Sequence, residues 1–401
     1  MPAIACSTLV PCAFERLPAP VSVDAEVIRD AVLAWEGEAV TFAGPRDSWD
    51  GPVDEELSAR TIVPGFVDSH THLPFFGWRD DEFEARLRGA TYRDQHGEGG
   101  IPRSARMLAE ASDDEVIEFC RPLLAEMAAH GTTALELKTG YGLAVEAELR
   151  QARIARRLAR EAPQTATVTL LAGHAVPEGM TAAAWVRLAC DELIPAAAQE
   201  GLCDAVDVYV EDIAFSVADL ERIAGVATRQ GLPLRCHAEQ LGWTGAAETA
   251  VSLGARSADH LNHLSPGGAK ALGGAETCAV LLPASTLMLG TQPPPVEGLR
   301  ADGAALALAT DLNPGTSPVL SIPEVIAIGC SLYRLSPLEA LVAATANAAW
   351  VLGIHERHGW LGTGSRADFV ILDAPELRMV PYRPGHNPVA STFIGGSGES
   401  R

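Results

Sequence analysis

Eight short runs, most of them predominantly apolar, separated by amphipathic stretches, constrain this chain most. They fall at residues 61–67, 132–138, 166–172, 205–211, 232–237, 256–260, 277–282 and 304–311. A short run that is apolar without alternation suits a strand covered on both faces, as in a parallel sheet. Eight such strands alternating with helices predict an α/β fold, a closed (β/α)8 TIM barrel. Such a barrel takes about 250 residues as one unit, so the 401-residue length does not require a second large domain.

The ends of the chain follow another pattern. Residues 31–36 and 39–43 alternate around Gly37 like a hairpin, and 367–372 reads as a strand flanked by Gly359, Gly362, Gly364 and Pro375. Residues 1–60 and 356–401 are therefore expected to form one small β-domain, a sandwich, beside a barrel spanning 61–355. The Gly/Pro-rich tail after Pro381 is expected to be partly extended and weakly ordered. Ser112 with Glu115, and Ser216 ahead of Leu220, read as helix starts. Ser336-Pro337 opens a helix predicted to run unbroken to Leu352 and to stop at Gly353.

Composition narrows the function. Apolar residues make up 47% of the chain but aromatics only 5%, so Ala, Leu and Val must fill the core. A net charge of -22 argues against nucleic acid, whose phosphates need basic stripes. A small anionic substrate stays possible if an Arg waits inside a pocket. No apolar run approaches the roughly 18 residues a membrane span needs. The stretch 21–33 is broken by Asp24, Glu26, Arg29 and Asp30, so no leader is read there. The eight cysteines are scattered without a Cys-x-x-Cys pair, which suits reduced, mostly buried thiols of a cytoplasmic protein.

Barrel active sites lie at the carboxyl ends of the strands, and the histidines cluster there. His70 and His72 follow the first run and His174 the third; His237 ends the fifth, His260 the sixth and Asp311 the eighth. In extended backbone, residues i and i+2 project from one face, so His70 and His72 can converge on one ion. Three neutral imidazoles and a carboxylate suit Zn²⁺ or Fe²⁺ and leave a position for water, whose pKa such an ion lowers to about 7. Asp311 could both touch the ion and accept the water's proton.

The segment Val63-Pro64-Gly65-Phe66-Val67-Asp68-Ser69-His70-Thr71-His72 resembles the opening of the amidohydrolase superfamily. Within that superfamily five further segments resemble the imidazolonepropionase family. They are Glu136–Leu143 (Glu-Leu-Lys-Thr-Gly-Tyr-Gly-Leu), Gly173–Pro177, His237–Leu241, Ser257–Leu261 and Thr310–Gly315. The resemblance runs in order from about residue 60 to 375. It implies hydrolysis of the cyclic amide of 4-imidazolone-5-propanoate, one Zn or Fe ion, a substrate carrying a carboxylate, and a homodimer. By the same resemblance His70, His72, His237 and Asp311 are the metal ligands, and Asp311, His260 and Gln240 do the chemistry. Arg79, Tyr141, His174, Gln240, Asn313, Gly315 and Thr316 would contact substrate.

The residue types suit these roles. Arg79 offers a forked donor for a carboxylate; its rival role is a surface pair with Asp80 or Asp81. Gln240 can donate and accept, as an amide-like ring edge requires. Asn313-Pro314-Gly315 is also ordinary turn chemistry. Phe76 and Trp78 stand where the family commonly carries small or aliphatic residues, and are expected to shape the pocket; Leu312 replaces a common Phe. Lys138 reads as structural and His130 as a helix-end residue; His96, His263, His355, His358 and His386 read as ordinary.

Two other functions compete. Amino-heterocycle deaminases resemble a His-x-x-Glu pattern at the fifth strand; here the third residue after His237 is Gln240, and Glu239 is one place off. A metal-stabilised binding protein without catalysis is opposed by the complete ligand set, including Asp311.

Overall fold

The computed structural model describes residues 1–95 and 99–400; His96 lies outside the described residues. Eight parallel strands form one sheet in sequence order: Phe66–Asp68, Thr132–Lys138, Thr165–Gly173, Ala205–Val210, Leu234–Ala238, Ser257–His260, Cys278–Leu281 and Leu306–Leu308. Its ends meet beyond the eighth strand. The Asp311 amide donates to the His70 carbonyl at 2.9 Å, and the His72 amide to the Leu312 carbonyl at 2.8 Å. Asp68 reinforces this seam by accepting the Thr310 amide at 3.1 Å and the Thr310 hydroxyl at 2.6 Å. The expected TIM barrel is present, and the backbone that closes it also carries two metal-ligand candidates from the first strand and one from the last.

The run 61–67 is divided between two sheets. Glu55–Pro64 belongs to a seven-stranded sheet, and Phe66–Asp68 to the barrel. Gly65 is the joint, and a Cβ there would lie 2.1 Å from the Thr133 hydroxyl, so the crossing requires glycine. The seven-stranded sheet takes strands from both ends of the chain: Ala3–Leu9, Ile28–Glu36, Ala39–Pro45, Phe369–Leu372, Val389–Ile394 and Ser397–Ser400 join Glu55–Pro64. It folds over itself. Trp35 meets Phe369 edge-on at 5.1 Å and Phe393 at 5.8 Å, and donates its indole N–H to the Gly396 carbonyl. The expected hairpin turns at Gly37, with φ +56°.

Two local expectations need correcting. The tail is not weakly ordered: Val389–Ile394 and Ser397–Ser400 form an antiparallel hairpin at the sheet's edge, anchored by Phe393 stacked on Phe369 at 4.2 Å. The helix begun at Ser336 breaks into Pro337–Ala343 and Ala346–Leu352. At the break the Thr345 hydroxyl bonds back to the Leu341 carbonyl at 2.7 Å, the competition with helical hydrogen bonding that Thr favours. Gly353 ends the second piece at φ +74°. The capping box at Ser112 is as expected, His130 is that helix's C-cap, and Ser216 caps reciprocally with Asp219.

Candidate active site

Short strands buried on both faces leave only their carboxyl-terminal ends free to present polar side chains, and there the candidates gather. His72 Nε2 lies 3.3 Å from Asp311 Oδ1, His70 Nε2 3.6 Å from the same oxygen, and His237 Nε2 3.5 Å from His72 Nε2. His260 joins from the sixth strand, its ring centroid 5.3 Å from that of His237. All five side chains are buried. His260 and Asp311 both hold positive φ, at +75° and +55°, strained backbone of the kind that gathers at functional sites.

Each of two imidazoles is backed by a carboxylate. Asp259 Oδ2 lies 2.6 Å from His70 Nδ1, and Asp207 Oδ2 lies 3.0 Å from His237 Nδ1. An imidazole that donates its Nδ1 proton to a carboxylate keeps its Nε2 lone pair for a cation. His70 Nε2 has no hydrogen-bond partner although buried. Burial, reinforced by the neighbouring cations and imidazoles, holds His70 and His72 well below the usual histidine range, and burial brings His260 down to about 3. These imidazoles are neutral and have lone pairs to give. Burial also pushes Asp311 up from its ordinary value. Two triads that share His70 bring their ligand atoms within 4.8 Å of one another, His70 with His72 and Asp311, and His70 with His237 and His260, and donors of this chemistry fit a divalent ion.

The cleft above this cluster is lined by His72, Arg79, Ile101, Tyr141, His174, Tyr209, His237, Gln240, His260, Asp311, Asn313 and Thr316. His70 does not line the cleft; its ring centroid lies 5.3 Å from that of His72. Gly315 does not line the cleft, but its backbone passes so close to Arg79 that a Cβ would stand 1.9 Å from Nη2. Arg79 is not a surface residue. It is 3% exposed, its Nε lies 3.5 Å from Glu82, and Asp81 pairs instead with Arg103. Arg79 Nε and Nη1 are buried without hydrogen-bond acceptors.

Asn313 lines the cleft and also builds the turn. Its Oδ1 accepts the amides of Gly315 at 2.9 Å and Thr316 at 2.7 Å, while its Nδ2 donates to the Asp311 carbonyl at 2.7 Å. Gln240 faces the cleft while Glu239 does not; Glu239 accepts the Gly245 amide at 3.1 Å in the following loop. Phe76 and Trp78 are absent from the lining. They pack against Phe119 at 5.4 and 6.0 Å, in the layer that covers the barrel, and Leu312 is likewise buried in that layer. Their expected influence on the pocket is therefore corrected.

Sequence reading passed over Tyr209, Ile101, Asp207 and Asp259. For Asp207 the signal was present, since it is the one charge in an otherwise apolar barrel strand, Ala205–Val210; Asp259 sits between Ala258 and His260 in a strand that is not. Beneath the cluster, Lys138 is fully buried, in contact with Asp207 and 3.1 Å from Glu136, which Arg235 also contacts.

A parallel barrel with a strand-end histidine–aspartate cluster defines a metal-dependent hydrolase, and the chain belongs to the amidohydrolase family, whose model matches residues 61–397. Relatives place it more finely. It is 41% identical over 365 residues to the imidazolonepropionase of Pseudomonas aeruginosa, covering 89% of this chain and 90% of that one. It is 43% identical over 380 residues to the imidazolonepropionase of Rubrobacter xylanophilus, covering 92% and 91%. Within the amidohydrolases, the chain is a member of the imidazolonepropionase family, hydrolases that act on carbon–nitrogen bonds. Among solved structures it is similar in fold to a zinc-bound adenosine deaminase from Xanthomonas campestris (TM-score 0.70, 19% identity, 99% of this chain and 92% of that one). It is also similar to the guanine deaminase of E. coli (TM-score 0.71, 15% identity, 100% of both).

Proposed function

We propose that this chain hydrolyses the cyclic amide of 4-imidazolone-5-propanoate to N-formimidoyl-L-glutamate, in histidine degradation, with the residues named above in the roles that follow. The observation that carries this reading is Arg79, a buried guanidinium with unused donors sharing one cleft with a neutral imidazole–carboxylate set. Glu82, 3.5 Å from Nε, balances the charge without accepting a hydrogen bond from Nε or Nη1, so the unmet N–H groups call for a further acceptor, and the propionate supplies one.

His70, His72, His237 and Asp311 would hold Zn²⁺ or Fe²⁺, which when bound supplies a Lewis acid that polarises the ring carbonyl and acidifies water. Asp311 accepts the proton of the attacking water and returns it to the departing ring nitrogen. His260, neutral and beside Asp311, donates a hydrogen bond to the oxygen on which charge develops. Gln240 reads the amide-like edge of the ring. Arg79 fixes the carboxylate, while Tyr141, His174, Asn313 and Thr316 close the cleft around the substrate. A homodimer, on the family resemblance, and a cytoplasmic setting, on the scattered cysteines, belong to the same proposal; no helix among the described residues is long and apolar enough to cross a membrane.

Deamination of an amino-heterocycle fits less well, because Gln240 and not Glu239 faces the cleft, and an amide cannot shuttle a proton to a ring. The test is Asp311→Asn with metal restored to wild-type occupancy. Loss of the acid–base group predicts a fall in kcat of about 10²–10⁴-fold. Normal turnover by the fully loaded variant would remove Asp311 from the mechanism.

A further inference from the structure

The segment Gly140-Tyr141-Gly142-Leu143, which follows the second barrel strand, takes a conformation that its own sequence does not stabilise. Gly140 has φ +115° and Leu143, not a glycine, has φ +51°. The segment is held from outside by two side chains one turn apart on the helix Val145–Glu161. Glu148 Oε1 accepts the amides of Gly142 at 2.6 Å and Leu143 at 2.9 Å, and its Oε2 accepts the Gly140 amide at 2.9 Å. Gln151 Oε1 accepts the amides of Gly140 at 3.1 Å and Tyr141 at 3.0 Å, while its Nε2 donates to the Pro74 carbonyl at 2.8 Å. Every backbone N–H from Gly140 to Leu143 therefore ends on one of two side chains, each 1% exposed.

The fit leaves no slack. A Cβ on Gly142 would come within 2.3 Å of the Glu148 amide nitrogen, and one on Gly140 within 2.8 Å of His174 Nδ1. The Gly140 carbonyl lies 2.9 Å from that same Nδ1, so the segment orients His174 as well as Tyr141. Tyr141 lies against His174 with ring centroids 5.2 Å apart, and both line the cleft. Neither Glu148 nor Gln151 lines it.

We infer that Glu148 and Gln151 are positioning residues for substrate binding, a carboxylate–amide clasp that folds the 140–143 segment so that Tyr141 and His174 present one preformed wall to the substrate. The inference rests on the substrate-contact role proposed for those two residues. A loop held by buried acceptors has lost its conformational freedom before the substrate arrives, so that ordering cost does not weaken binding.

Glu148→Gln keeps the size of the side chain but turns one acceptor into a donor facing an N–H. The proposal predicts a KM raised roughly tenfold to a hundredfold, the range that an unmet buried donor reaches. Metal stoichiometry should stay at the wild-type value and kcat should change much less than KM. Combined with Tyr141→Ala, the effect should be far less than additive, because both changes remove the same wall. If Glu148→Gln fails to fold, Gln151→Ala serves, since Gly140, Gly142 and Leu143 keep their Glu148 acceptors; it predicts the same split between KM and kcat. Tyr141→Ala with an unchanged KM would refute the substrate-contact reading itself. Tyr141→Ala with a raised KM, beside clasp variants that leave KM unchanged or add independently to it, would overturn the clasp alone.

Discussion

On the proposed reading, Arg79 is the side chain on which substrate choice turns. Its burial argues against a surface pair with Asp80 or Asp81: the guanidinium is 3% exposed, its neighbouring carboxylate is the buried Glu82, 3.5 Å from Nε, and Nε and Nη1 lack hydrogen-bond acceptors. Arg79→Ala is predicted to raise KM by about 10- to 150-fold, the worth of a charge-assisted hydrogen-bonded pair of roughly 1.5–3 kcal/mol. Arg79→Lys should not restore it fully, because an ammonium lacks the fork. An analogue without the carboxylate should be a poor substrate for wild type, yet indifferent to Arg79→Ala; additive losses would retire the carboxylate role. Gly315→Ala offers an independent check, since the new methyl would meet the guanidinium at 1.9 Å and must displace it. It should raise KM without removing metal, and a wild-type KM for this variant would contradict the account.

Among the elements, the ends of the barrel strands carry both legible and illegible features. The histidines and Asp311 could be read from sequence because a polar ligand type at the end of an apolar run has few structural explanations. Asp207 and Asp259 were harder to read, because a charge within a short run looks like an interruption of the strand until its partner on another strand is known. The break before Ala346 and the division at Gly65 were not legible either: a single Thr or Gly is locally compatible with continuation, and tertiary contacts decide.

Glu211, just beyond the fourth strand, makes an element-scale prediction. It accepts the Leu241 amide at 2.8 Å through Oε1, tying down the loop that carries Gln240, while its buried Oε2 has no partner. Burial pushes its carboxyl up to about 7. The folded state therefore holds a proton that the unfolded chain releases near the ordinary carboxylate range. Between that range and about pH 7 the native state binds more protons, so this group's contribution to stability falls as pH rises. Glu211→Gln keeps the Oε1 acceptor and cannot ionise. Thermal melts should show the variant gaining on wild type from pH 5 to pH 8, and a constant difference would show that Glu211 does not titrate in this window.

At the scale of the whole molecule, the two ends of the chain stabilise each other far from the cleft. Phe393, in a tail whose Gly/Pro richness had suggested weak order, stacks on Phe369 and meets Trp35, a long-range contact that no local pattern reveals. Phe393→Ala should cost about 2 kcal/mol or more of stability, seen as a lower denaturation midpoint. Turnover per bound metal should be unchanged at temperatures where the variant remains folded. A loss of kcat without loss of stability would mean that the terminal sheet acts on the site directly.

The central claim is that one bound divalent ion, in the cluster of His70, His72, His237 and Asp311, is required for opening the imidazolone ring. The decisive measurement follows the ultraviolet absorbance of 4-imidazolone-5-propanoate with purified protein, chelated protein and chelated protein given one equivalent of Zn²⁺ or Fe²⁺, with the product identified by mass. The account predicts loss of absorbance with stoichiometric N-formimidoyl-L-glutamate, abolished by chelation and restored by the added ion, and no recovery in His237→Ala. Full turnover by protein shown to be metal-free, or release of ammonia without ring opening, would contradict it.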